Sequence, residues 1–279
     1  MDLALLPPAA TTDPDFLRLW LATTNSPNTR RAYELEIRRI SAAVPKPLRL
    51  VSLGDLIEYR ESLTTKANTQ NRTMTAIKSL LSFGHKTGYL PFNVGAALKL
   101  RPDKNTLAER ILEESEVARL IDRTEGRNHV ILKLFYASGI RVSELCALKW
   151  KDAVPRAEAG QITVFGKGGK TRAVLLKPKT WKLLDAMREG PDDPVFRSQK
   201  KGHLDPSQVR RIIGKAAREA GLSQKVSPHW LRHAHASHAL ERGARINLVQ
   251  VTLGHASVAT TGKYLHARPT ESSGLYLPD

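Results

Sequence analysis

Apolar residues recur at helical spacing along most of the chain, and one segment in the second half differs in kind. Residues 1–14, with Pro7, Pro8 and Pro14 among small residues, read as a flexible lead-in. Phe16, Leu17, Leu19, Trp20 and Leu21 begin a helix that Asn25-Ser26-Pro27-Asn28 is expected to break. A second helix is predicted over residues 29–44, with Tyr33, Ile37 and Ile40 on one stripe and Arg30, Arg31, Arg38 and Arg39 elsewhere, closed by Pro45 and Pro47. Residues 53–63 and 67–86 continue the pattern, the latter with Met74, Ile77, Leu80 and Leu81 on its apolar side. Residues 15–100 thus read as a small all-helical domain. The polar, proline-containing stretch 101–107 reads as a linker, and 108–279 as a second domain.

In that second domain Ser115 is expected to cap a helix reaching about Thr124, and Gly139 to end another over residues 128–138. Ile162-Thr163-Val164-Phe165 and Arg172-Ala173-Val174-Leu175-Leu176 are strand-like and flank Gly166-Lys167-Gly168-Gly169-Lys170, so a β-hairpin should carry Lys167 near its tip. Helices resume over about 179–188 and 207–220. Ser227-Pro228 is a cap and first-turn pair, Gly243 a stop, 246–253 a further helix broken by Gly254, and Ser257 the cap of a last helix reaching Tyr264. The fold class is therefore mainly α with a small antiparallel β-sheet: a helical N-terminal domain followed by a mixed α+β domain.

Charge changes the picture. Lys and Arg number 44 against 27 Asp and Glu, a formal net charge of +17 with a sequence pI near 10.2, which points to a polyanionic partner. Cys146 is the only cysteine, so a disulfide framework is excluded, and its apolar setting makes it a packing residue. The first residues lack a basic n-region, and no run approaches about 18 apolar residues, so neither a signal peptide nor a membrane partner is expected. The expectation is a soluble, cytoplasmic protein.

The candidate chemistry lies in Arg141, Lys167, His229, Arg232, His255 and Tyr264. Two guanidiniums can neutralise the non-bridging oxygens of a phosphodiester, an ammonium and imidazoles can move protons, and a phenol can act as nucleophile. His229 and Arg232, three residues apart near a helix start, share a face where a phosphate is favoured. His229, His233, His235 and His238 also suggest a metal site, but helical phase points His235 and His238 away from the other two, and no carboxylate completes a shell. No metal or cofactor is expected, and His233 reads as a packed residue supporting the site.

The motifs Ser138-Gly139-Ile140-Arg141-Val142-Ser143-Glu144-Leu145, Gly166-Lys167-Gly168-Gly169-Lys170-Thr171-Arg172, His229-Trp230-Leu231-Arg232-His233 and Leu253-Gly254-His255, with Thr260-Thr261 before Tyr264, occur in order. In them the chain resembles the tyrosine recombinase, or phage integrase, family, especially its compact Xer-like members, over about residues 15–270. The resemblance implies a helical core-binding, SAM-like domain and a catalytic domain closing as a C-shaped clamp on double-stranded DNA. It implies a homotetramer on paired recombination sites, associated with the nucleoid. Tyr264 would attack the scissile phosphate to form a 3′-phosphotyrosyl enzyme without metal or ATP. Arg141 and Arg232 would hold the phosphate, Lys167 would protonate the leaving 5′-oxygen, His229 would assist proton transfer, and His255 would bond a phosphate oxygen. Glu144 would orient Arg141.

Arg30, Arg31, Arg72, Lys78, Lys170 and Arg172 are the candidate DNA contacts, while Asn68, Thr69, Gln70 and Asn71 suit base edges, a helix cap or a solvated turn equally. Asn93-Val94-Gly95 departs from the Asn-Pro-like ending common in the family. By the same resemblance, Leu275, Tyr276 and Leu277 read as an anchor on a neighbouring subunit or as a frayed end. A type IB topoisomerase-like nicking and closing enzyme, or a DNA-binding regulator whose site has decayed, are the competing readings.

Overall fold

A computed structural model of the protein describes residues 12–102, 107–166, 169–223 and 225–265. Lys167, the anchor candidates Leu275, Tyr276 and Leu277, most of the lead-in and part of the linker lie outside the described residues. The chain divides into two compact units, residues 1–104 and 105–279. No described helix is long and apolar enough to cross a membrane.

The first unit is built from α1 (Asp13–Ala22), α2 (Pro27–Ala43), α3 (Leu53–Ser62) and α4 (Ala67–Lys86). Helix α1 starts at Asp13, ahead of the expected start, because Thr12 accepts the Asp15 N–H and Pro14 pre-sets the first turn. The Asn25–Asn28 stretch proves to be the start of α2: Ser26 caps it and Pro27 is its first residue. Apolar faces meet around Phe16, Trp20, Leu56, Met74, Ile77 and Leu80, all essentially buried, each contributing roughly 1.5–3 kcal/mol. Phe16 stacks on Tyr89 at 4.2 Å.

Hydrogen bonds commit three polar side chains of α4 to the fold. Buried Gln70 donates to the carbonyls of Leu63 and Thr65, and Asn71 exchanges two bonds with the backbone of Arg101 at 2.8 and 3.0 Å, so both amides serve the fold. The Lys78 ammonium donates to the carbonyls of Leu98 and Ala96, closing the chain end of this unit onto α4. Arg30, Arg31 and Arg72 are exposed.

In the second unit, α5 (Glu114–Asp122) is capped by Glu113, whose box partner is Glu116, so Ser115 sits inside the first turn rather than capping it. Helix α6 (Gly126–Ser138) is buried along Val130, Ile131, Leu134 and Phe135 and ends at Gly139, which adopts the left-handed conformation. Next come α7 (Val142–Ala147) and the antiparallel strands β1 (Ala153–Arg156), β2 (Ala159–Phe165) and β3 (Thr171–Leu176), in the order β1-β2-β3. Val164 opposes Arg172 and Phe165 opposes Thr171 at the turn end of the hairpin. Buried Cys146 has its thiol raised to about 11 by desolvation, which suits packing rather than reactivity.

Helices α8 (Pro178–Asp185), α9 (Pro206–Glu219), α10 (Pro228–Glu241), α11 (Ile246–Leu253) and α12 (Val258–Gly262) complete the described fold. Helix α6 packs against α5, α8 and α10, which makes it the centre of this unit. Tyr264 follows α12 directly and is buried against Ile111, Ala236, Val249 and Leu253.

Candidate active site

The site begins where α6 stops. Left-handed Gly139 turns the chain, and Arg141 follows in extended conformation as the N-cap of α7. Three residues on, the Glu144 carboxylate reaches back to accept the Arg141 N–H at 2.7 Å and Nη1 at 2.8 Å. The same carboxylate accepts Nη1 and Nη2 of Arg172 at 3.0 and 2.8 Å. Desolvation raises the Glu144 carboxyl, but the Arg172 hydrogen bond, the Arg141 N–H, the Arg172 charge and the Arg141 guanidinium hydrogen bond outweigh it and hold the group down at about 2.

The C-terminal turn of α11 supplies the other side. Three successive carbonyls each take one guanidinium: Thr252 from Arg172 Nε at 2.6 Å, Leu253 from Arg232 Nη2 at 2.7 Å, and Gly254 from Arg141 Nη2 at 3.0 Å. Arg232 also donates Nη1 to Gly139 O at 2.5 Å. Helix ends carry carbonyls without intrahelical partners and a partial negative charge, so they receive cations. Both helix-ending glycines, at φ +60° and +64°, therefore hold Arg232 and Arg141 with their own carbonyls.

Arg232 is 4% exposed, and burial, then Arg141, lowers its guanidinium to about 10, which leaves it charged. Half-buried Arg141 faces a cleft of about 390 Å³ that Lys170, Gly254 and His255 also line. A larger hollow of about 810 Å³ beside Asp122, Arg123, Arg211 and Glu219 carries charges of both signs and none of these residues.

Helix α10 presents His229, Arg232 and His233 along one side. His233 Nδ1 lies 2.8 Å from the Tyr264 hydroxyl, and the His229 ring is 6.4 Å from that of His233. The His255 ring lies parallel to that of Tyr264 at 6.4 Å, with Nδ1 held by the Thr261 hydroxyl at 2.9 Å. Burial, then the neighbouring cations, lowers His233 and His255 to about 4, so both rings are neutral at neutral pH. His229 is also lowered, by desolvation and by Arg232 and Arg141, though its exposure at the rim lets solvent screen the effect. Burial raises Tyr264, and Arg232 opposes that rise. His235 and His238 turn away to the carbonyl and hydroxyl of Tyr136.

Residues 110–271 match the Phage integrase family profile. The chain belongs to this family. The recombinase is 30% identical to "Tyrosine recombinase XerC" of Thermodesulfovibrio yellowstonii over 263 residues, which are 87% of this chain and 86% of that protein. The crystal structure of XerA recombinase aligns at 28% identity with a TM-score of 0.53, covering 94% of this chain and 96% of that one. A lambda integrase tetramer bound to a Holliday junction shares the fold, with a TM-score of 0.72 at 20% identity over 89% of this chain and 78% of that one.

Of the residues expected in the recombinase site, Arg141, Glu144, His229, Arg232, His233, His255 and Tyr264 come together, while Lys167 lies outside the described residues. Arg172 is the correction. Its side chain is 8% exposed and committed to Glu144 and Thr252, so it is a structural partner of Arg141 rather than a free DNA contact. The period of two in β3 carries the signal that finds it: Arg172 shares a face with buried Val174 and Leu176. Lys170 is exposed at the cleft.

Proposed function

We propose that the protein recombines double-stranded DNA site-specifically, with Tyr264 as the covalent nucleophile. The observation that carries this reading is the convergence on one turn. Arg232 and Arg141 sit on the adjacent carbonyls of Leu253 and Gly254, and the Tyr264 ring packs against Leu253 in the same cluster. The scissile phosphate would bind between Arg141 and Arg232, whose charges stabilise the pentavalent transition state. Tyr264 would attack phosphorus and form a 3′-phosphotyrosyl link as the 5′-oxygen departs, protonated by Lys167. The bond energy kept in that link allows religation without ATP, and the guanidiniums do the charge neutralisation a divalent metal would otherwise supply.

The exposed residues Arg30, Arg31 and Arg72 in the first unit and Lys170 in the second would contact DNA phosphates. Four copies would act on two paired sites, as the fold shared with a lambda integrase tetramer supports. A nucleoid-associated location in the cytoplasm follows from that partner.

The test uses duplexes selected from a random-sequence pool by gel shift with the full chain, then nicked to make a suicide substrate. Wild-type protein should give a denaturant-resistant protein–DNA adduct, and Tyr264→Phe none. An adduct from the Phe variant would show that another residue is the nucleophile. Relaxation of supercoiled plasmid without recombinant products would replace recombination with topoisomerase activity.

A further inference from the structure

Tyr264 cannot attack as a phenol: its hydroxyl must lose a proton, and burial makes that loss harder. His233 is in hydrogen-bond reach of that proton, its Nδ1 2.8 Å from the hydroxyl. The His229 ring lies 6.4 Å from the His233 ring, and the hydrogen bond to the Tyr264 hydroxyl is made by His233. The two histidines share one side of α10 at a spacing of four residues, and Tyr264 is fixed opposite by burial among Ile111, Ala236, Val249 and Leu253.

We propose that His233, with its own proton on Nε2, accepts the Tyr264 proton at Nδ1 as the tyrosyl oxygen attacks phosphorus. This rests on the reading of Tyr264 as the nucleophile and assigns the proton a destination other than His229. The step balances. The O–H bond of Tyr264 breaks and its proton forms an imidazolium on His233, the P–O bond to Tyr264 forms, and the P–O5′ bond breaks, the leaving oxygen taking a proton from the general acid. Religation runs the steps in reverse, the imidazolium returning its proton to the tyrosyl oxygen.

The surroundings of His233 fit that role. His229 and Arg232 on its own helix, Arg110 from the segment before α5, His255 after α11, and Tyr264 face the ring, and burial, then the positive charge among these groups, keeps it in the neutral, proton-accepting form in free protein. A phosphate drawn onto Arg141 and Arg232 adds negative charge and favours the imidazolium when it is needed.

Rates of adduct formation on the nicked suicide duplex decide the matter. His233→Asn retains a hydrogen-bonding group near Nδ1 but no base. With DNA binding and thermal melting unchanged, its rate should fall about 100-fold at neutral pH and rise about tenfold per pH unit, while wild type stays nearly flat from about pH 6 to 8. His233→Ala should regain rate on addition of imidazole. Wild-type rate and a flat profile in His233→Asn would overturn the proposal, as would the rising profile appearing in His229→Asn instead. Failure of wild type itself to form the adduct would defeat the recombinase reading, and this inference with it.

Discussion

Glu144 and Arg172, 28 positions apart, form a buried two-point ion pair at 3.0 and 2.8 Å, and the same carboxylate holds the backbone and guanidinium of Arg141. The Arg141 guanidinium is thus positioned by a carboxylate that a second arginine holds in place. The pair makes Arg172 part of the site through Glu144.

Removing Arg172 leaves Glu144 buried with only Arg141 to answer it, and removal of one partner of a buried pair costs about 3–5 kcal/mol. Arg172→Met should therefore lower stability by about 3 kcal/mol in urea unfolding. Glu144→Gln combined with Arg172→Met should recover part of that deficit, because no charge is then stranded. Equal destabilisation in the single and double variants would mean that the pair is not coupled.

Gly254→Ala probes the arginine-bearing turn. The position has φ +64°, which costs an L-residue roughly 1–2 kcal/mol, and a Cβ there would meet Arg172 Nη1 at 3.0 Å and Cζ at 3.3 Å. Its carbonyl also receives Arg141. The variant should melt earlier and form adduct more slowly than its folded fraction explains. A rate that follows folded fraction alone would limit Gly254 to ending the helix.

Much of the frame is legible in local sequence, because helix ends are local events. Residues 67–86 and 246–253 fold as their periodicity predicts, and Gly139, Gly243 and Gly254 are left-handed where a stop is expected. Strand β1 is harder to see: it is four residues long, contains Pro155, and lies at the sheet edge, where proline is tolerated. The site residues are legible as a set, but their partners are not. Arg172 finds Thr252 80 positions away, and His233 finds Tyr264 31 positions away, pairings that no local pattern encodes. Lys78 likewise looks like a free cation until the chain at Leu98 folds back onto it.

Acid should unfold the second unit in two stages. His233 and His255 fall to about 4 in the folded protein from an ordinary value near 6.5, so the unfolded chain binds more protons between those limits, and stability decreases as pH drops through that window. Glu144, held at about 2 against an ordinary value of 4.5, adds a decrease on the order of 3 kcal/mol below about pH 4.5. Urea unfolding as a function of pH should show the first stage diminished in His233→Asn and the second in Glu144→Gln. A wild-type stability flat from about pH 7 to 5 would contradict the assignment of neutral, half-buried histidines.

DNA affinity offers a separate test, because it distinguishes cations that face solvent from those already engaged. Removing one cation that neutralises a phosphate should flatten the dependence of log affinity on log salt by about 0.9. Arg30, Arg31, Arg72 and Lys170 are exposed, so replacing any of them by Gln should reduce the slope by about that amount. The Lys78 ammonium is held by the carbonyls of Leu98 and Ala96, and Arg172 by Glu144 and Thr252. Lys78→Gln should therefore lower the melting temperature of the first unit while leaving the salt slope of the folded protein unchanged. A slope reduced by Lys78→Gln as much as by Arg72→Gln would mean that the ammonium leaves those carbonyls for a phosphate when DNA binds.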